Sequence, residues 1–180
     1  MKHRPKTVWY TLIATCFYVG RFPRIPGSIS SLLCYPLYYT ILETSCTLQE
    51  VSNKFYLLLT LLILLGLISI SYFQKASNTH DDQSIVIDEV IGQTLTIAIS
   101  LKWLVYIADR LFFLKGYMGM HTIIFTIAFI LFRYFDIRKP FVIGYVNDRI
   151  HGAMGVILDD ILAAFFASGI IYIFYKILAY

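Results

Sequence analysis

Charge is scarce in this sequence: 14% of its 180 residues are Asp, Glu, Lys or Arg, where an ordinary soluble domain carries about a quarter. That shortage, with 58% hydrophobic content and a mean hydropathy of +0.70, excludes a water-soluble globule. Cysteine is scarce too, with three in all and none in a CxxC or Cys/His spacing, so neither a disulfide framework nor a structural zinc centre is indicated. Cys16 and Cys34 read as unpaired thiols in apolar surroundings, and Cys46 as a loop residue. No GxxxxGK[ST] segment exists, and neither nucleotide nor nucleic acid is an expected partner. Internal repeats, low-complexity runs and a second soluble domain are also missing, so residues 1–180 read as one integral-membrane domain.

What the chain has in quantity is long apolar sequence. Phe55 to Phe73 is 19 residues without a charge, enough to cross a hydrocarbon core of about 30 Å. It is internal and followed by polar chain, unlike a cleaved signal peptide. Further apolar segments are Val8–Gly20, Ser31–Leu42, Val90–Ala108, Tyr117–Phe132 and Val156–Tyr180. Backbone polar groups in lipid must pair within the protein, and these runs lack the alternation of a barrel strand. The fold class expected is therefore all-α: a polytopic membrane helix bundle of about four or five spans. The two shortest segments read as interfacial, re-entrant or tilted pieces as readily as spans.

Basic residues set an orientation, because they collect on the cytoplasmic side. With the amino terminus inside and Val8–Gly20 not crossing, ten Lys and Arg fall on the inner side and five towards the outer. The loop at 20–28, the loop at 78–89 and the stretch 133–160 then all meet the cytoplasm.

Those stretches hold most of the acid. Asp88-Glu89 and Asp159-Asp160 each sit within apolar sequence. A charge at membrane depth costs about 2.5–3.5 kcal/mol on insertion scales, so such carboxylates need a cation, a partner or water. A hard metal ion explains two such pairs, and Mg²⁺ takes one or two carboxylates plus waters and phosphate oxygens. Pairing with Arg or Lys alone, or a proton or cation pathway, are the other uses open at this point. Neighbours on a helix point about 100° apart, so each pair is expected to send one member to a shared centre and the other to a supporting role.

Cations flank the acids. Arg133 and Asp136 are three apart on one helical face and positioned to pair; Pro140 ends that helix, with Arg138 and Lys139 at its carboxyl end. An arginine fork beside an ammonium suits a phosphate monoester, and a juxtamembrane anchor is the alternative. The loop from Gly20 to Ser28, with two prolines and two arginines, is a rigid connector whose Ser28 is expected to cap the next helix and leave N–H groups for an anion. His80 and His151 each precede an acidic pair by eight residues and are candidate proton donors to a leaving alkoxide.

Four stretches together resemble the phosphatidylglycerophosphatase A family of bacterial inner-membrane lipid phosphatases. They are Arg24-Ile-Pro-Gly-Ser, His80-Asp-Asp-Gln-Ser-Ile-Val-Ile-Asp-Glu-Val-Ile-Gly92, Phe132-Arg-Tyr-Phe-Asp-Ile-Arg-Lys-Pro140 and His151-Gly-Ala-Met-Gly-Val-Ile-Leu-Asp-Asp160. The family's patterns, approximately PGTxGS, HD…SIVxDExxG, FRxFDxxKP and HGGxGIMxDD, occur in the same order and at similar spacing. Departures are Ser28 for threonine, Ser30 for glycine, Ala153 for the second glycine of HGG, and Asp82-Gln83 where other polar or small residues are usual.

The resemblance implies a Mg²⁺-dependent hydrolase that converts phosphatidylglycerol phosphate to phosphatidylglycerol and inorganic phosphate, with membrane lipid as its other partner. It implies Asp88, Glu89, Asp159 and Asp160 as metal ligands. Asp81 and Asp136 would be further ligands or a base, and Arg24, Ser28, Arg133 and Lys139 would take the phosphate. Location would be the inner membrane, multi-pass, with the site facing the cytoplasm. The arrays of the CDP-alcohol phosphotransferases (DGxxAR…GxxxDxxxD), the vanadium-haloperoxidase-like lipid phosphatases (PSGH) and the haloacid-dehalogenase phosphatases (DxDx[TV]) are all missing. A small cation or proton carrier using the same carboxylates is the alternative from another class.

Overall fold

Long apolar stretches cannot leave peptide groups unpaired in lipid, and this chain pairs them by helix formation. The structure is a computed structural model describing residues 8–79, 82–112, 116–140 and 142–180, and among these every regular element is helical. Three short helices come first: α1 (Trp9–Ala14), α2 (Pro26–Leu32) and α3 (Cys34–Glu43), with a 3₁₀ turn at Val19–Arg21 between the first two. Then follow α4 (Leu48–Ser77), α5 (Ile87–Phe112), α6 (Gly116–Arg138), the short α7 (Val142–Arg149) and α8 (Ala153–Ala179).

Helices α4, α5, α6 and α8 run 30, 26, 23 and 27 residues, enough at about 1.5 Å per residue to cross the membrane core, and all four are apolar enough to do so. The protein is thus an all-α polytopic membrane bundle with four spans among the described residues. Six residues in α1 and ten in α3 are too few to cross, so Val8–Gly20 and Ser31–Leu42 supply short pieces packed on the bundle.

Each span begins before its apolar segment, and caps fix both ends of α4. At the start of α4 the Glu50 N–H donates to Thr47 Oγ1 (3.1 Å), while Glu50 Oε2 accepts the Cys46 N–H (3.0 Å), a variant of the reciprocal capping box. Asn78, left-handed at φ 53°, ends it. Between α6 and α8 the chain is not all loop, because it contains α7. Its Ile143 and Val146, three apart, are both buried, and that spacing is the signal the reading passed over.

Helix α5 is the axis of the bundle. Its apolar window is 67% buried, against 28–33% for the other spans, and it packs on α4, α6 and α8. Leu57, Leu61 and Leu64 of α4 and Ile170, Ile173 and Ile177 of α8 face outward, as a lipid-facing surface requires. Aromatic pairs band the two ends, with Trp103–Tyr172 (4.9 Å) and Tyr106–Tyr175 (5.1 Å) at one and Trp9–Tyr72 (5.5 Å) at the other.

Antiparallel succession brings the carboxyl ends of α4 and α6 and the amino ends of α5 and α8 to the same end of the bundle. The first helices brace that end. The Val86 N–H donates to the Ala14 carbonyl (2.9 Å), and Gly20 lies so close under the Ser84 carbonyl that a Cβ would overlap it. The segment leading into Asp88 is therefore held from outside.

Close approach of α5 to α6 and α8 depends on Gly92. A Cβ there would overlap the fully buried Phe132 ring and stand 3.1 Å from the Asp160 carbonyl oxygen. Alanine would ordinarily gain up to about 1 kcal/mol of helix propensity over glycine, but a ring with no room to move outweighs that gain. Gly92→Val is expected to destabilise by roughly 1–3 kcal/mol. A lowered midpoint of thermal unfolding in detergent checks this; an unchanged midpoint means the helices are not in contact here.

Candidate active site

Three helix ends supply the acidic and basic residues. Asp88 and Glu89 occupy the first turn of α5, where the helix dipole favours negative charge. Asp159 and Asp160 lie in the second turn of α8. Arg133 and Asp136 fall in the last two turns of α6, and Lys139 follows immediately after that helix ends.

Three carboxylates converge. Asp88, Glu89 and Asp160 each present an oxygen, and these oxygens all lie within 4.8 Å of one another. Asp88 Oδ1, Glu89 Oε2 and Asp160 Oδ2 are buried without a hydrogen-bond partner among the described residues. The expected division of each acidic pair holds only in part. Asp160 turns to the cluster while Asp159 turns away to ion-pair with Lys139, its Oδ1 accepting the Asp160 N–H (3.1 Å). Asp88 and Glu89 both reach the cluster.

The cations are held by acids. Arg133 ion-pairs with Asp136 on the same face of α6, as their spacing indicated, and its Nη1 lies 3.8 Å from Glu89 Oε1. Lys139 is left-handed at φ 42°, a conformation a non-glycine residue takes at a cost of about 1–2 kcal/mol. Its N–H still donates to the Phe135 carbonyl (2.8 Å), and Pro140 prevents continuation. Burial is the largest single influence on the Lys139 ammonium and pulls its pKa down. Asp159, Asp160 and Asp136 together nevertheless raise it above its ordinary value, so it stays charged at neutral pH.

These groups line an open cavity of about 540 Å³, with Ser28, Asp82 and Gln83. Its fourth wall is the start of α2, where Gly27 packs against the site: a Cβ would overlap Glu89 Oε1 and approach Arg133 Nη2 to 3.0 Å, so those side chains would have to shift. The close approach of Gly27 is a tertiary feature that nothing in the local sequence signals. Ser28 needs correction. It does not cap α2, which begins at Pro26 with left-handed Ile25 at the N-cap and no side-chain cap. Proline at the first helical position starts the helix three residues earlier, leaving Ser28 in the first turn with its residue on the cavity wall.

Of the other candidates, Arg24 and His151 are exposed and are not among the residues lining the cavity. His80 and Asp81 lie outside the described residues. Asp82 does line it, its Oδ1 accepting from the Ser84 N–H (3.0 Å) and Oγ–H (2.8 Å). The cavity therefore offers three hard oxygen donors, a guanidinium and an ammonium, a set that fits a divalent cation together with a phosphate.

The Lys139–Asp159 pair joins the end of α6 to α8 and should stabilise their packing. Asp159→Asn and Lys139→Met are each expected to lower unfolding stability in detergent, with a double mutant less affected than the sum by about 0.5–3 kcal/mol. Strict additivity would mean the two side chains do not interact.

Comparison with known proteins agrees with this geometry. A sequence model described as PgpA: Phosphatidylglycerophosphatase A matches residues 12–175. The Phosphatidylglycerophosphatase A of Escherichia coli (strain K12) is 31% identical over 165 residues, covering 91% of this chain and 81% of that protein. That of Haemophilus influenzae (strain ATCC 51907 / DSM 11121 / KW20 / Rd) is 32% identical over 164 residues, covering 89% and 85%. No solved structure matches. With the match running through all four helix ends that build the cavity, the chain belongs to the phosphatidylglycerophosphatase A family.

Proposed function

We propose that this chain removes the terminal phosphate of phosphatidylglycerol phosphate, giving phosphatidylglycerol and inorganic phosphate in phospholipid synthesis. Mg²⁺ is the cofactor, and the site faces the cytoplasm from a bacterial inner membrane. The relatives' name supports the activity. The observation that carries the chemistry is the set of three partnerless carboxylate oxygens beside Arg133 and Lys139 at the ends of the spans.

Those oxygens fit Mg²⁺, which prefers hard oxygen ligands and leaves positions for water and phosphate. Asp88, Glu89 and Asp160 would hold it, and once bound it supplies Lewis-acid polarisation of the phosphoryl oxygens. Asp159 is assigned a different task, that of keeping the Lys139 ammonium on the cavity wall. Asp136 does the same for Arg133. The two cations neutralise the phosphoryl oxygens as charge shifts in the transition state. Water attacks phosphorus, the bond to the lipid's glycerol oxygen breaks, and the departing oxygen takes a proton. His80 and Asp81, which precede the cavity residue Asp82 in the chain, are assigned that proton transfer. His151 and Arg24, outside the lining, are given no part in it.

A cation or proton carrier is not favoured. Between Glu89 and Asp109 in α5, before Asp136 in α6, after Asp160 in α8 and beyond Glu50 in α4, the spans contain no acidic residue. A pathway through the membrane would need ionisable groups at several depths.

Two outcomes are expected. Phosphate release from phosphatidylglycerol phosphate in micelles should stop in excess chelator and return with Mg²⁺, and Asp160→Asn should lower turnover about 10²-fold or more. Full turnover in chelator would remove the metal from the account. Orientation is checked by labelling: in a background without the native cysteines, cysteines at 23, 79 and 138 should react only from the cytoplasmic side and one at 45 only from outside. Reaction of 79 and 138 from opposite faces would separate the cavity walls and contradict a single site.

A further inference from the structure

A second cavity, about 340 Å³, opens on the other side of the first turn of α5 and is almost entirely apolar. Its walls include Phe17, Leu33, Leu37, Leu65, Ile87 and Val90, together with the sulfur-bearing side chains of Cys16 and Cys34. The two cavities share structure. Along α5, Ile87 and Val90 line the apolar groove while Asp88 and Glu89, between them, line the acidic one. Along α2, Gly27 and Ser28 stand on the acidic side, and Leu33 at that helix's end stands in the groove. A molecule lodged in both must join a phosphate to an apolar chain.

The groove's rim is built at a conformational cost. Cys16, Phe17 and Tyr18 are left-handed in succession, at φ 43°, 55° and 69°, a region bulky residues avoid. The turn is fixed by the Phe17 N–H on the Leu12 carbonyl (2.7 Å), the Tyr18 N–H on Thr15 Oγ1 (3.1 Å) and the Gly20 N–H on the Thr15 carbonyl (3.0 Å). Its outcome is a phenylalanine ring, 80% exposed, beside the groove it lines.

We infer that this groove seats one acyl chain of the substrate lipid and so aligns the attached phosphate with the acidic cavity. The identity of that lipid rests on the phosphatase reading above. A chain leaving bilayer for groove expels no water, so the gain is packing and position rather than hydrophobic affinity. Selection then acts on long-chain substrates and not on short ones that cannot reach the groove. Soluble phosphate monoesters would lack the second anchor altogether.

Filling the groove tests this. Leu37→Trp adds bulk at a side chain 38% exposed and outside the catalytic cavity; Leu57→Trp adds the same bulk on the lipid face of α4. With dioleoyl phosphatidylglycerol phosphate, Leu37→Trp should lose about tenfold in kcat/KM, while dibutyryl substrate and Leu57→Trp stay within about twofold of the parent. Equal loss on both substrates, or none on either, overturns the inference. A second arm needs no turnover: phosphatidylglycerol carrying a mid-chain diazirine is irradiated with the full-length protein. Crosslinks should concentrate at 13–17 and 33–37 and fall severalfold in Leu37→Trp. Crosslinks spread evenly over the outer faces of α4, α6 and α8 overturn the inference. If the parent protein releases phosphate from neither substrate, the phosphatase reading fails, and the crosslinks still decide the groove.

Discussion

Mutual repulsion among Asp88, Glu89 and Asp160 is the constraint around which the fold is arranged. With oxygens within 4.8 Å, each ionised pair repels by roughly 3–4 kcal/mol at an effective dielectric near 20. Three such pairs would sum to about 10 kcal/mol if all were ionised at once, a cost that protonation or a bound cation relieves. The neighbouring cations do not cancel this, because Arg133 and Lys139 are principally engaged by Asp136 and Asp159. The proposed divalent cation would both relieve this repulsion and supply what a phosphate needs. The cluster would then be costly to the free protein and useful to the loaded one.

The rest of the molecule serves to hold those oxygens together. Gly27 and Gly92 remove side chains where Glu89 and Phe132 must approach neighbouring helices. The left-handed turn at Lys139 ends α6 with its ammonium facing α8, and the ion pair with Asp159 offsets that backbone strain. The short helices before α4 contribute no span. They brace the segment ahead of Asp88 and, with the turn at Cys16 and Phe17, complete the groove on its far side. The proposed catalytic and lipid-positioning roles would then meet on one turn of α5, where Ile87 and Val90 flank Asp88 and Glu89.

Features decided by local spacing were legible in the sequence. The uncharged runs marked the spans, the three-residue interval marked Arg133–Asp136, and Pro140 marked the end of α6. Features decided by how helices rotate and pack were not. Nothing in Asp159-Asp160 says which carboxylate faces the cluster, since that depends on Lys139, twenty positions away across a helix contact. Ser28 misled because its capping preference competes with proline's preference for the first turn, and proline prevailed. Arg24 and His151 belong to motifs that do reach the cavity, yet their own residues stand at its outside. Motif membership and cavity membership are different properties.

The central claim is that Asp88, Glu89 and Asp160 together hold one divalent cation. Electron paramagnetic resonance of Mn²⁺ titrated into the purified protein tests it without reference to turnover. The account predicts loss of the free Mn²⁺ signal at one site per chain, its return on adding excess Mg²⁺, and no comparable loss with Asp160→Asn. A full free signal with the parent protein, or undiminished binding in that variant, would contradict it.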